Sequence, residues 1–265
     1  MAASKHSGID MTDRIIKTAL VTGGARRIGK AIVQSLAADG IAVAIHANGS
    51  LKAAEELADE IQAAGGRAVA VQADLRDGAA RERMIEDARG ALGPLGLLVN
   101  NASVFRNDGA DHFDEDNFDA HFDVHVKAPL HLSALFANSI PADGHGLIVN
   151  IVDQRVWALN PRFCTYTLSK AALWTATQTL AQAYAPRIRV NAIGPGPTLA
   201  NERQSADDFR KQSEGVLLKR GPELGEFGST IRYLLETPSI TGQMIALDGG
   251  QHLAWQTPDV ADIAE

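Results

Sequence analysis

Short apolar runs alternate with longer stretches of helical period along most of the chain. The runs lie at 18–22, 41–45, 68–71, 97–99, 147–151, 188–191 and 244–247. Between them, apolar residues recur at three- and four-residue spacing. This predicts helices over about 28–38, 51–64, 78–91, 115–138 and 165–184, the second of them ended by Gly65-Gly66. The runs are apolar throughout rather than alternating, as expected of strands covered on both faces. Strands and helices in strict alternation imply right-handed crossovers and a parallel sheet. The expected fold is therefore α/β: one doubly wound domain over 15–265, with a seven-stranded parallel sheet and helices on both faces. Segment 195–225 breaks the pattern, being rich in charge, Gly and Pro. Long irregular segments are more often functional than accidental. This one follows the sixth strand, so it belongs at the carboxyl edge of the sheet, where such folds bind ligands, and a substrate lid is expected there. Residues 1–14 are polar and are expected to form a flexible leader, with Met11 an alternative start.

Composition narrows the class without changing the fold. Hydrophobic residues make up 45% and charged residues 22%, close to a soluble globular average. A formal net charge of −7, with basic residues scattered or merely paired (Arg26-Arg27, Lys219-Arg220), argues against a nucleic-acid surface. The single cysteine, Cys164, permits neither an intrachain disulfide nor a cysteine zinc site, and it reads as a small core residue. No run of about 20 apolar residues could span a bilayer, and 1–14 lack the apolar core of a signal peptide. A soluble cytoplasmic protein with no membrane partner is the expectation.

The first strand runs into Thr22-Gly23-Gly24-Ala25-Arg26-Arg27-Ile28-Gly29. Glycines at a strand-to-helix turn let backbone approach a pyrophosphate at the helix N-terminus. Glycines at turns are common, but this position makes Gly23, Arg26, Arg27, Ile28 and Gly29 cofactor candidates. The choice between the two nicotinamide cofactors is read about 20 residues on, where a carboxylate would hold the ribose of NAD. Here the second strand ends His46-Ala47-Asn48-Gly49-Ser50, with no acid before Glu55. A 2′-phosphate would not be repelled, and His46, Asn48, Ser50 and Arg26 join the candidates. The cofactor expected is NADP(H), the competing reading being a merely polar loop.

Tyr166 and Lys170 stand four apart, early in the last long helix, and share a face. A phenol titrates near pH 10. A neighbouring ammonium stabilises the phenolate and would bring the group toward a useful range. Such pairs also arise by chance, and this one gains weight from its company. Asp74-Leu75 follow the third strand, Asn100-Asn101-Ala102 the fourth, Asn191 and Pro195-Gly196 mark the sixth, and Leu247-Asp248-Gly249-Gly250 lie near the end.

In this order and spacing the motifs resemble the short-chain dehydrogenase/reductase family over nearly the whole chain. The resemblance implies a Rossmann fold in which Asp74 holds the adenine, with Leu75 beside it, and Asn101 and Ala102 flank the cofactor. Pro195 and Gly196 complete that set. It also implies that Lys170 binds the nicotinamide ribose, that Tyr166 donates the proton, and that the C-terminal motif supports a homotetramer.

The departures narrow the branch. Arg27 stands where the family has glycine, Asp153 where it has a serine about thirteen residues before the tyrosine, His125 where it has asparagine, and Ser103 where it has glycine. Together with the ending Leu247 to Leu253 these resemble pteridine and dihydromonapterin reductases. In that branch the resemblance implies a pterin stacked against an aromatic side chain, here Phe105, with Arg27, Ser103, Asp153 and Tyr166 around it. The chemistry agrees. A carbonyl oxygen needs a donor, which an ionised carboxylate is not, whereas a pterin offers amino and ring N–H groups that an acceptor such as Asp153 can take. Arg27 brings a planar fork of donors.

Asp153, Tyr166 and Lys170 are thus the expected catalytic group, although Asp153 could be only a surface acid on a loop. His125 either takes over the asparagine's place near Lys170 or is an ordinary partly buried histidine. His121 and His125, four apart among acids, invite a metal reading but lack a third ligand; no metal is expected. The alternatives to a pterin substrate are another carbonyl or imine, or a non-catalytic NADP sensor, for which a proton donor would have no use.

Overall fold

The computed structural model describes residues 17–200 and 204–257. Seven strands, β1 (Thr18–Val21), β2 (Ala42–Ala47), β3 (Ala68–Gln72), β4 (Leu97–Asn100), β5 (Gly146–Ile151), β6 (Ile188–Pro195) and β7 (Met244–Leu247), form one sheet in the order 3-2-1-4-5-6-7. Every neighbouring pair is parallel. All residues of β1, β2, β4 and β5 are buried, which is why those strands read as unbroken apolar runs.

Successive side chains of a strand point to opposite faces. Ala19 and Val21 of β1 pack with Val43, Ile45, Val99 and Val149 against α1 (Arg27–Ala38), α2 (Leu51–Ala63) and α8 (Leu224–Glu236). Leu20 between them packs with Ala44, Leu98 and Ile148 against α3 (Gly78–Leu92), α5 (Ala128–Ser139) and α6 (Cys164–Tyr184). The doubly wound, seven-stranded expectation is met.

Three regions differ from the sequence expectation. The stretch 115–138 is not one regular helix: α4 (Glu115–Phe122) passes through a π-helical turn at Asp123–Lys127 before α5 begins. Segment 195–225 is not wholly irregular, since it contains α7 (Ala206–Gly215), and β6 continues to Pro195. A further helix, α8, lies where none was expected. Glu223 and Glu226 form a reciprocal capping box at its start, and Phe227, Ile231 and Leu234 face the core. The leader expected at 1–14, with Met11, lies outside the described residues.

The C-terminal motif acts as a clamp. Buried Asp248 accepts the N–H groups of Gly250 and His252, each at 2.9 Å, and the His252 ring at 2.6 Å. Gly249 has φ +63°, and a Cβ there would come within 2.3 Å of the Arg220 carbonyl oxygen. Its own carbonyl accepts the Leu218 N–H, which ties the chain after α7 to the turn that follows β7.

Candidate active site

Sheet order reverses between β1 and β4, and the predicted site residues gather at the carboxyl ends of the strands around that point. The turn after β1 is built to be approached closely. Gly23 has φ +61°, and a Cβ on Gly29 would lie 2.1 Å from the Gly23 carbonyl oxygen. Thr22 Oγ1 accepts the N–H groups of Asn101 and Ala102 at 2.9 and 3.0 Å. The Asn101 amide donates to the carbonyls of Thr22 and Gly23. The loops after β1 and β4 are thereby fastened together. The N-cap of α1, Arg26, makes no side-chain capping bond, and no acid lies in that helix's first turn. Its end therefore keeps the N–H groups and positive dipole that suit a phosphate.

Arg27 has φ +53°, a left-handed backbone that explains glycine as the residue the resemblance leads one to expect. Its guanidinium donates to the carbonyls of Ala200 and Leu199 at 3.0 and 3.2 Å, so it fastens the chain that follows β6. His46 takes a different place from the one expected. It is buried, its Nδ1 accepts the Gly23 N–H at 3.0 Å, and its Nε2 lies 3.0 Å from the Ala73 carbonyl. Both ring nitrogens face backbone, and burial lowers its pKa, so it holds the glycine turn as a neutral ring. Asn48 and Asp74 are exposed. Leu75 is buried beneath Asp74, and Ser50 is the N-cap of α2 without a capping bond of its own. Pro195 ends β6 and Gly196 follows it; a Cβ on Gly196 would come within 2.6 Å of Asp248 Cα.

At the end of β5, the extended backbone of Asp153 opens a short 3-10 turn, Gln154–Val156. Oδ1 accepts the Arg155 N–H at 2.8 Å and lies 3.8 Å from Arg155 Nε, while Oδ2 accepts the Tyr166 hydroxyl at 3.0 Å. Lys170 is 2% exposed, and its ammonium donates to the Ile151 carbonyl at 2.8 Å. Burial lowers its pKa to about 8, partly opposed by Asp153.

Tyr166 goes the opposite way from the sequence expectation. Burial, then the Asp153 charge and the hydrogen bond to it, raise the phenol well above its ordinary value, against the pull of Arg155 and the Ser103 hydroxyl. The Lys170 ammonium lies 5.7 Å from the tyrosine ring centroid and is directed to backbone rather than to the phenol oxygen. The side chain is held as a protonated donor.

Two buried histidines lock this centre to the loop after β4. His125 Nε2 lies 2.9 Å from Ser103 Oγ and accepts the Val104 N–H at 3.1 Å; its Nδ1 lies 2.8 Å from Ser169 Oγ. His121 Nε2 accepts the Arg106 N–H at 3.2 Å, and its Nδ1 meets Thr165 Oγ1 at 2.8 Å. Thr165 donates to Asp108, which also accepts the Thr165 N–H at 2.9 Å and so caps α6 from a distant loop. The i, i+4 spacing that suggested a metal instead places two rings, 5.7 Å apart, on one face toward Tyr166. Among the described residues no group of three metal-ligating side chains occurs. The π-helical turn carries His125 into this position, a common use of such turns.

Phe105 stacks on Phe163 with centroids 4.4 Å apart and meets Tyr166 edge-on at 4.8 Å. Ser103, Phe105, Asp153 and Tyr166 are thus connected in one cluster, while Arg27 is directed to the backbone of Leu199 and Ala200. Sequence reasoning passed over Arg155. Its guanidinium sits 5.4–6.0 Å from the centroids of Phe105, Phe163 and Tyr166 and faces Asp153. An arginine two residues after a carboxylate has no motif, and only the 3-10 turn brings it back over the rings.

A short chain dehydrogenase family model matches residues 17–211. Among curated proteins, the 3-oxoacyl-[acyl-carrier-protein] reductase FabG of Staphylococcus epidermidis is 31% identical over 242 residues, covering 89% of this chain and 99% of the relative. Two solved structures are more similar. FolM alternative dihydrofolate reductase 1 from Brucella canis, complexed with NADP, is 56% identical with a TM-score of 0.91, over 94% of this chain and 99% of that one. Its counterpart from Brucella suis, also with NADP, is 58% identical with a TM-score of 0.90, over 92% and 98%.

Proposed function

Since the chain belongs to the short-chain dehydrogenase family, we propose that it is an NADPH-dependent reductase acting on the C=N bond of a dihydropterin. The observation that carries the reading is the Asp153 carboxylate. It accepts at both oxygens and stands against the Tyr166 hydroxyl, where reduction of a carbonyl would call for a donor. The identity to two NADP-bound FolM proteins, each named as an alternative dihydrofolate reductase, supports the same substrate class.

The turn after β1 fits a dinucleotide, because side chains larger than glycine at positions 23 and 29 would collide with the loop after β4 or with the turn itself. Gly23, Ile28, Gly29 and the start of α1 would hold the pyrophosphate. Arg26, Asn48 and Ser50 would take the 2′-phosphate, Asp74 and Leu75 the adenine, and Asn101, Ala102, Lys170, Pro195 and Gly196 the nicotinamide half. Bound there, the cofactor supplies hydride. Tyr166 supplies the proton to the nitrogen next to the reduced carbon, Asp153 accepts the amino and ring N–H groups, and Phe105 offers its ring to the pterin. The described parts of 195–225 are read as a substrate cover, fastened by Arg27, and the assembly as a homotetramer resting on the C-terminal clamp.

The test follows NADPH oxidation with dihydromonapterin, dihydrobiopterin, dihydrofolate and a panel of ketones and 3-oxoacyl thioesters. Turnover of a dihydropterin is expected, with NADPH preferred over NADH. Turnover confined to the carbonyl compounds would refute the substrate assignment, and none with any substrate would favour a sensor. Among the described residues no helix is long and apolar enough to cross a membrane.

A further inference from the structure

The hydrogen bonds around His125 fix where each proton lies. Ser169 Oγ donates to the Tyr166 carbonyl at 2.7 Å. A hydroxyl has one proton, so at 2.8 Å from His125 Nδ1 the same oxygen must accept, and Nδ1 carries the ring proton. The other end of the ring gives the same answer independently. The Val104 N–H donates to Nε2 at 3.1 Å, which requires a bare lone pair there. The ring is fully buried, beside Lys170 and His121, and these surroundings keep it neutral.

Ser103 Oγ, 2.9 Å from that nitrogen, can bond to it only as a donor, sharing the lone pair with the Val104 N–H; the other acceptor within its reach, the Val104 carbonyl, is longer at 3.4 Å. Its proton is turned inward, and its own lone pairs remain for whatever occupies the site. The hydroxyl can serve a Tyr166 phenolate only by leaving His125, so Ser103 stays an acceptor while the phenol keeps its proton.

We propose that His125 is a specificity-determining positioning residue: it sets the polarity of Ser103, so that the site presents a second acceptor beside Asp153 and favours substrates offering N–H groups over those offering a carbonyl oxygen. The part concerning substrates rests on the dihydropterin reading; the part concerning the ring proton does not. An asparagine at this position would lack the constraint, because its amide can turn to offer either a donor or an acceptor.

Two measurements test the proposal on the full chain. ¹⁵N NMR of the ring nitrogens of His125 in the unaltered protein is expected to show the proton on Nδ1; a proton on Nε2, or on both nitrogens, overturns it. Steady-state kinetics then compare His125→Asn, Ser103→Ala and the double variant on a dihydropterin, with a ketone as alternative substrate or competing ligand. His125→Asn is expected to lower the preference for the dihydropterin by about tenfold, the size of one hydrogen bond. It should have no further effect on that preference in the Ser103→Ala background. An equal loss toward both ligands, or an effect that persists without the Ser103 hydroxyl, would show a merely structural histidine. Failure of the unaltered enzyme to reduce any dihydropterin would sink the selectivity claim together with the reading beneath it, whereas the tautomer claim falls only to the NMR result.

Discussion

The charge on Lys170 should govern the alkaline behaviour of the enzyme. The ammonium is 2% exposed, donates to the Ile151 carbonyl, and has its pKa lowered by burial to about 8. Tyr166 is raised well above its ordinary value and keeps its proton through the same range. With a midpoint near 8, the charged fraction of Lys170 falls from about nine tenths at pH 7 to about one tenth at pH 9. If the ammonium is what holds the nicotinamide ribose, kcat/KM for NADPH, which reports the free enzyme, should fall about tenfold over that interval. The Asp153 charge holds the lysine up. Replacing it by asparagine keeps the shape, removes the charge, and should move the midpoint below 8. The assay is initial-rate NADPH oxidation at saturating second substrate from pH 6 to 10, for both proteins. A flat profile between pH 7 and 9, or a midpoint that Asp153→Asn leaves in place or raises, would refute the reasoning.

Further outcomes follow from the same geometry. At pH 6, where Lys170 stays charged in either protein, Asp153→Ser should leave the Kd for NADPH within about twofold while dihydropterin turnover drops by about a hundredfold or more, the scale of a lost acid–base partner; unchanged turnover would remove Asp153 from its role. Arg155→Met keeps an apolar body on the three rings but removes the partner of a largely buried carboxylate. Its kcat/KM for substrate should fall about fivefold with NADPH affinity intact, in line with one ion pair, and an equal loss of NADPH affinity would contradict this. Arg27→Gly relieves a left-handed backbone worth about 1 kcal/mol but loses two exposed bonds to Leu199 and Ala200. Thermal unfolding should therefore show little net change in Tm, while KM for substrate rises; a large drop in Tm would mean the arginine serves the fold instead.

The sheet was legible because each central strand is covered on both sides and must be apolar at every position, as Leu97–Asn100 and Gly146–Ile151 largely are. Helix α7 was not, for the opposite reason: ADDFRKQSEG buries none of its residues, so it has no apolar period to read. Helix α8 did carry signals, the Glu223–Glu226 box and the 227, 231, 234 spacing. They were masked by Gly225 and Gly228, the latter needed where α8 crosses Ser35 of α1. The candidate cluster was legible as residue types at strand ends. Its internal wiring was not, because hydrogen-bond direction depends on which atoms meet. Tyr166 illustrates this: four-residue spacing from Lys170 suggested a lowered phenol, and the three-dimensional neighbour that decides the outcome is Asp153. Arg155 and the backbone-facing His46 likewise depend on contacts that no spacing encodes.

The π-helical turn at Asp123–Lys127 amounts to one residue more than a regular helix would contain. Deleting a single residue from that stretch would let α4 and α5 close into an ordinary helix, swinging everything on the α4 side by about 100° about the axis. His121 and the bonds it makes to Arg106 and Thr165 would then leave Tyr166, whereas the sheet, the glycine turn and Lys170 lie elsewhere in the chain. The loss of one codon is thus expected to leave the sheet and the glycine turn in place while unseating the side chains packed against Tyr166. In that sense the irregular turn works as a keyed joint, joining the sheet and its glycine turn to one particular setting of the side chains around Tyr166.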